Sequence, residues 1–122
     1  MKIGDLIAVN GLLYEYGGIE KSNYSQNETL HKVHDVEIDE DGILTVTHNT
    51  WYFTDSELSN RGINLTEKQW IGLTEHFIRQ EYDLTEEEIA DAAEDIVCRC
   101  FVTTRIPLVE ELPNYIAIYM NR

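Results

Sequence analysis

Six carboxylates fall within ten residues, Glu86, Glu87, Glu88, Asp91, Glu94 and Asp95, and they form the densest chemistry-bearing group in the chain. At 100° per helical residue, Glu87, Glu88, Asp91, Glu94 and Asp95 share one side of a helix. They lie opposite an apolar stripe of Ile89, Ala92, Ala93, Ile96, Val97 and Cys100. A row of carboxylates can transfer protons or engage Arg and Lys side chains. Acid–base catalysis of the glycosidase kind needs two carboxyl groups in contrasting surroundings inside a cleft, and a run along a helix face supplies neither. These five acids are therefore read as partner-binding, and no residue is assigned a catalytic role.

The other reactive side chains make weaker patterns. Asp39, Glu40, Asp41 and Gly42 suggest a calcium loop, but the later ligands and the terminal bidentate glutamate are missing at that spacing, so a solvated acidic turn is expected. His31 and His34, three apart in a strand, fall on opposite faces and make no two-histidine metal site. His34 and His48 can meet across the 39–42 hairpin as cross-strand packing residues, and His76 reads as structural. Cys98 and Cys100 are one residue apart, too close for an ordinary disulfide, and lack two further metal ligands. No serine, threonine or cysteine has a nucleophile's setting, and the glycines form no phosphate loop. Neither metal nor cofactor is expected.

The charge balance narrows the partners. With 23 acidic and 9 basic residues among 122, the net charge is −14, which disfavours direct binding to nucleic acid or to anionic membranes and favours basic partners. Residues 66–95 hold a net −8, residues 1–65 a net −7 and residues 96–122 a net +1. The 66–95 segment thus has about four times the net negative charge per residue of the remainder, while the C-terminal part is neutral enough for a core or a subunit interface. The length suits one domain. No stretch is long and apolar enough to span a bilayer, and the opening Met1-Lys2-Ile3-Gly4-Asp5 lacks a signal-peptide apolar region, so a cytoplasmic location is expected.

Local signals say what positions these groups. Asn10-Gly11 between residues 5–9 and 12–16 predicts a type I′ hairpin, and Gly17-Gly18 allows a bulge before a polar loop over 21–28. A strand over 29–38 is expected to turn Leu30, Val36 and Ile38 inward, and a longer strand covers 43–53. Thr54–Glu57, Thr66–Gln69 and Thr85–Glu88 each match a capping box, the first supporting a single turn. After Thr66, Trp70, Leu73, Phe77 and Ile78 make an apolar stripe. The pairs Leu65/Trp70 and Leu84/Ile89 have hydrophobic-staple spacing, so two helices joined by a short link are predicted. Residues 101–106 read as extended, and 115–120, apolar on both faces, as a closing strand.

The expected architecture is a single α+β domain: a β-rich part over 1–62, a helical hairpin over 65–101 and a closing strand region over 102–122. The sheet is either an open antiparallel one or a small barrel of five or six strands, with the hairpin inserted before the last strand or strands. The opening Gly4-Asp5-Leu6-Ile7-Ala8-Val9 and its glycine-marked turn resemble the first strand of SH3-like and Sm-like barrels. That resemblance implies a fold and carries no functional residue. The whole profile of small size, strong acidity, α+β structure and no catalytic motif is similar in type to phage-encoded counter-defence inhibitors, among them anti-CRISPR proteins and DNA mimics. The resemblance implies stoichiometric inhibition of a basic, nucleic-acid-binding host protein through Glu87, Glu88, Asp91, Glu94 and Asp95. Two other readings fit the residues: a homo-oligomer that stacks a small molecule or nucleotide on Trp51, Tyr52 and Tyr82, or a structural or assembly protein.

Overall fold

Asn10 and Gly11 both adopt positive φ, 52° and 85°, the pair of values a type I′ turn requires. They join β1 (Leu6–Val9) to β2 (Leu12–Lys21), with Val9 opposite Leu12 and Ile7 opposite Tyr14. The pairing of β2 with β3 (Thr29–Ile38) slips between Tyr16 and Gly18, which is the bulge that Gly17-Gly18 allows. The 39–42 turn then leads into β4 (Leu44–Phe53), and the sheet runs in the open order β1-β2-β3-β4. This is a computed structural model describing residues 1–21, 29–102 and 108–121. Residues 22–28 of the expected polar loop over 21–28, whose first residue Lys21 instead ends β2, and residues 103–106 of the expected extended stretch lie outside them. With three α-helices following the strands among the described residues, the α+β class with an antiparallel sheet holds.

Two compact units are distinguished, residues 1–37 with 45–64, and residues 38–44 with 65–122. In the first, one sheet face carries a cluster of Ile7, Val9, Tyr14, Tyr16, Val33 and Leu58, with Phe53 packed against it. Leu58 is delivered by a single 3-10 turn, Glu57–Ser59, whose start is the expected box: the Thr54 N–H donates to Glu57 Oε1 at 3.2 Å and the Glu57 N–H to Thr54 Oγ1 at 3.3 Å. The expectation for β3 needs correcting. Its odd face buries His31 and Val33, while of the even positions only Val36 is buried, and Leu30 and Ile38 are half-buried. Leu13, paired with Val36, is buried on that second face too, so the strand is covered on both sides and simple alternation fails.

In the second unit, α1 (Glu67–Glu81) and α2 (Glu86–Val102) form the predicted hairpin. Thr66 and Gln69 make a full capping box. α1 buries Trp70, Leu73, Phe77 and Ile78 together with Thr74, and α2 buries Ile89, Ala92, Ala93, Ile96 and Val97. Each large aliphatic or aromatic side chain among them contributes roughly 1.5–3 kcal/mol by leaving water. The 39–42 turn docks on α1. Lys68 Nζ donates to Asp41 Oδ1 at 2.9 Å and Gln69 Nε2 to the Asp39 carbonyl at 3.2 Å.

The expected closing strand over 115–120 is instead a helix, α3 (Leu112–Met120), preceded by a 3-10 turn at Val109–Glu111. Pro113 sits in its first turn, where a missing N–H leaves no hydrogen bond unmade and the ring's fixed φ suits a helix. Leu112 and Ile116, one helical turn apart, are buried, whereas Tyr115 and Ile118 are exposed. The six-residue apolar run alone does not distinguish the two periods; the stripe becomes helical once Leu112 is included. Phe101 and Val102, expected to be extended, finish α2. No helix among the described residues is long and apolar enough to cross a membrane.

Candidate interaction surface

The acids of α2 divide into two groups by what their carboxylates touch. Three are engaged within the chain. Glu88 closes the second capping box: it accepts from the Thr85 N–H at 3.1 Å while its own N–H donates to Thr85 Oγ1 at 3.2 Å. Glu86 receives a two-pronged bond from Arg79, with Nη2–Oε2 at 2.7 Å and Nε–Oε1 at 3.2 Å, tying the end of α1 to the start of α2. Asp95 accepts from the Tyr119 hydroxyl of α3 and from Arg99 Nε at 3.4 Å, and the Arg99 guanidinium lies 5.5 Å from the Tyr119 ring centre. Glu87, Asp91 and Glu94 are exposed, and among the described residues their carboxylates make no hydrogen bond or ion pair. At positions i, i+4 and i+7 they form one stripe, about 10 Å long at the 1.5 Å helical rise. That is one negative charge per roughly 5 Å, within a factor of two of the 3.4 Å spacing along a DNA strand.

The engaged acids carry a pH signature. The bond from Arg79 lowers the Glu86 pKa, the Thr85 backbone and hydroxyl bonds lower that of Glu88, and the Tyr119 and Arg99 bonds lower that of Asp95. A carboxylate whose folded pKa is depressed adds stability that is complete above its unfolded value and lost as pH falls through the folded one. Acid titration is thus expected to open the first turn of α2 before that of α1, whose box uses the uncharged Gln69. Amide hydrogen exchange followed from neutral to acid pH reads this. Glu88→Gln keeps the acceptor and is expected to flatten the pH dependence at the α2 N-terminus; an unchanged slope refutes it.

A second constellation had no signal in the sequence. His31, 7% exposed, stands between Tyr16 and Asp55: Nδ1 is 2.8 Å from the Tyr16 hydroxyl and Nε2 is 2.5 Å from Asp55 Oδ1. The carboxylate only accepts, so Nε2 carries a hydrogen, and with a neutral ring the Tyr16 hydroxyl donates to Nδ1. Tyr16 belongs to the buried apolar cluster and Asp55 is exposed, so the relay runs from the core outward. Its inner end meets packed aliphatic side chains, and its evident work is to fasten the segment that carries Leu58 onto the sheet. The two partners are 15 and 24 residues from His31, separations that no periodic pattern encodes.

The remaining candidates are placed as follows. His34 lies on the face opposite His31 and its Nδ1 meets Thr50 Oγ1 across β4 at 3.1 Å, a cross-strand role. His76 stacks edge-on against Phe77 at 6.0 Å. Asp39 Oδ1 accepts from the N–H groups of Asp41 and Ile43, so that carboxylate shapes the acidic turn. Cys98 is an exposed free thiol. Trp51 and Tyr52 are adjacent in β4 and so point to opposite faces of the sheet, while Tyr82 caps the C-terminus of α1. Among the described residues no three His, Cys, Asp or Glu side chains converge on a point. A shallow concavity lined by Gly11, Gly62, Ile63 and Asn64 presents no titratable group. No protein-family model, curated protein or solved structure matches this chain.

Proposed function

We propose that this is a non-enzymatic binding protein that docks the acidic face of α2 on a basic, nucleic-acid-binding surface of a host protein, inhibiting it by occupying that surface. The observation that carries the reading is the separation of the acids. Glu86, Glu88 and Asp95 are used to build the helix and its packing, whereas Glu87, Asp91 and Glu94 stand in solvent without a cation among the described residues. Folding does not need their charges, and their mutual repulsion across single helical turns costs stability. A partner's Arg and Lys side chains would relieve that repulsion and gain charge-assisted hydrogen bonds. Complementary charge also steers such an encounter, so capture would weaken with added salt. A counter-defence role in a phage-infected cell is the setting that this chemistry and the small acidic chain suit best.

The test is affinity capture from a nuclease-treated bacterial lysate carrying DNA-targeting defence systems, followed by displacement of duplex DNA from the recovered protein. Glu87→Lys, Asp91→Lys and Glu94→Lys combined are expected to reduce capture by about tenfold or more, given roughly 0.5 kcal/mol or more per exposed pair. A control reverses Glu37, Glu40 and Glu81, all exposed and none of them on α2, giving the same net charge. Retained capture by the control together with loss in the α2 variant supports the reading. Equal effects in both would reduce it to bulk acidity, and unchanged capture by the α2 variant rejects it.

A further inference from the structure

β4, Leu44–Phe53, contains no acidic or basic residue apart from one histidine, in a chain whose net charge is −14. Among the described residues it is also an outer strand of the sheet, ten residues long and free of proline, lysine and glycine. The opposite outer strand, β1, is four residues long and wholly buried. A long outer strand leaves a row of backbone N–H and C=O groups open to pairing, and sheets ordinarily blunt it with charge, proline or a bulge. β4 has neither charge nor proline. It instead exposes apolar side chains on both faces, Val46 (49%), Trp51 (52%) and Tyr52 (46%).

We infer that β4 pairs antiparallel with β4 of a second copy of this chain, about a two-fold axis at Asn49, so that two four-stranded sheets become one. Charge selects this occupant. Two copies of net charge −14 repel, and they can approach at least cost where neither presents charge; a strongly charged partner strand gains nothing here. Register selects it as well. A two-fold axis perpendicular to the sheet joins each face to its own kind, which restricts the pairings to those centred on a residue. Centred on Asn49, Val46 of each copy lies opposite Tyr52 of the other, and Thr47 opposite Trp51, each pairing made twice. These are β-branched–aromatic pairs, a favourable cross-strand combination. Centring one residue to either side separates Val46 from Tyr52. The inference is independent of the α2 reading, since no acid of α2 enters it.

Sedimentation velocity and native mass spectrometry of the full chain at micromolar concentration are expected to give twice the 14.2 kDa chain mass. Val46→Lys with Tyr52→Lys sets lysine against lysine at two places and is expected to return the protein to monomer. Val46→Lys with Tyr52→Glu sets lysine against glutamate at both places and is expected to restore the dimer. Both side chains are about half exposed, so neither exchange disturbs the core. Amide exchange in the unmodified chain supplies a second measurement: protection of residues 45–53 is expected to rise with concentration. A monomeric wild type overturns the inference. So does a dimer in the lysine–lysine variant, a monomer in the lysine–glutamate variant, or a dimer without added protection in β4.

Discussion

Gly72→Ala is expected to destabilise the protein by about 3 kcal/mol, the upper end of the overpacking range, although the same exchange in an exposed helix interior gains about 1 kcal/mol. Position 72 lies in the middle of α1, where glycine is ordinarily a defect. Here it lets the 39–42 turn lie directly on the helix. A Cβ at Gly72 would come within 2.5 Å of the Gly42 Cα, and one at Gly42 within 2.7 Å of the Lys68 carbonyl oxygen. Both obstacles are backbone, so no rotamer change relieves them. Gly42 also holds φ at 84°, which an L side chain adopts only with strain. The turn would have to lift away, stretching the Lys68–Asp41 and Gln69–Asp39 bonds. Urea denaturation gives the sign directly, and faster exchange at the Asp41 and Ile43 amides would place the damage in the turn. Gly62→Ala is the control: its new methyl meets only Asn60 Oδ1 at 3.7 Å, and it is expected to change stability by less than about 1 kcal/mol. A stabilised Gly72→Ala would show that the close approach is absent in solution.

The contrast between these glycines indicates what the sequence carries. Devices that act within four residues were legible: the Asn10-Gly11 turn, the three capping boxes, the Gly17-Gly18 bulge and the apolar stripes of α1 and α2 each follow from local spacing. The acidic face of α2 was legible for the same reason, and even the use of Glu88 in a cap could be read from Thr85. What Gly72 touches could not be read, because Gly42 is thirty residues away and a helix glycine signals only a weakened helix. α3 was missed on a different ground. A proline such as Pro113 ordinarily signals a break, while its position inside the first turn depends on Leu112 being helical, which packing against α1 and α2 decides. In β3, burial on both faces erased the alternation on which the inward residues were chosen. The division of the α2 acids into engaged and solvent-facing groups rests on Arg79, Arg99 and Tyr119, of which only Arg99 lies within one helical turn of its acid.

The relay through His31 is the other long-range feature, and it yields the second large effect. His31→Ala is expected to cost about 3 kcal/mol, because it opens a cavity beside Val33 and leaves the buried Tyr16 hydroxyl without an acceptor. Its two partners are expected to differ. Tyr16→Phe strands Nδ1 in the core and should cost about 1–2 kcal/mol. Asp55→Ala removes a carboxylate that is itself 78% exposed, so water can replace part of what is lost and about 1 kcal/mol or less is expected. If the three side chains act as one unit, the imidazole held by Asp55 is a better acceptor for Tyr16, and the Tyr16→Phe/Asp55→Ala double variant will lose less than the sum of the singles. A coupling of roughly 0.5 kcal/mol or more in that double-mutant cycle supports cooperation through the ring; simple additivity reduces the constellation to two separate hydrogen bonds. Either way His31→Ala must remain the worst of the three, since it alone removes both bonds and the packed ring. A Tyr16→Phe variant that is less stable than His31→Ala would mean that the tyrosine hydroxyl has another buried partner and that the histidine is not the centre of the fastening.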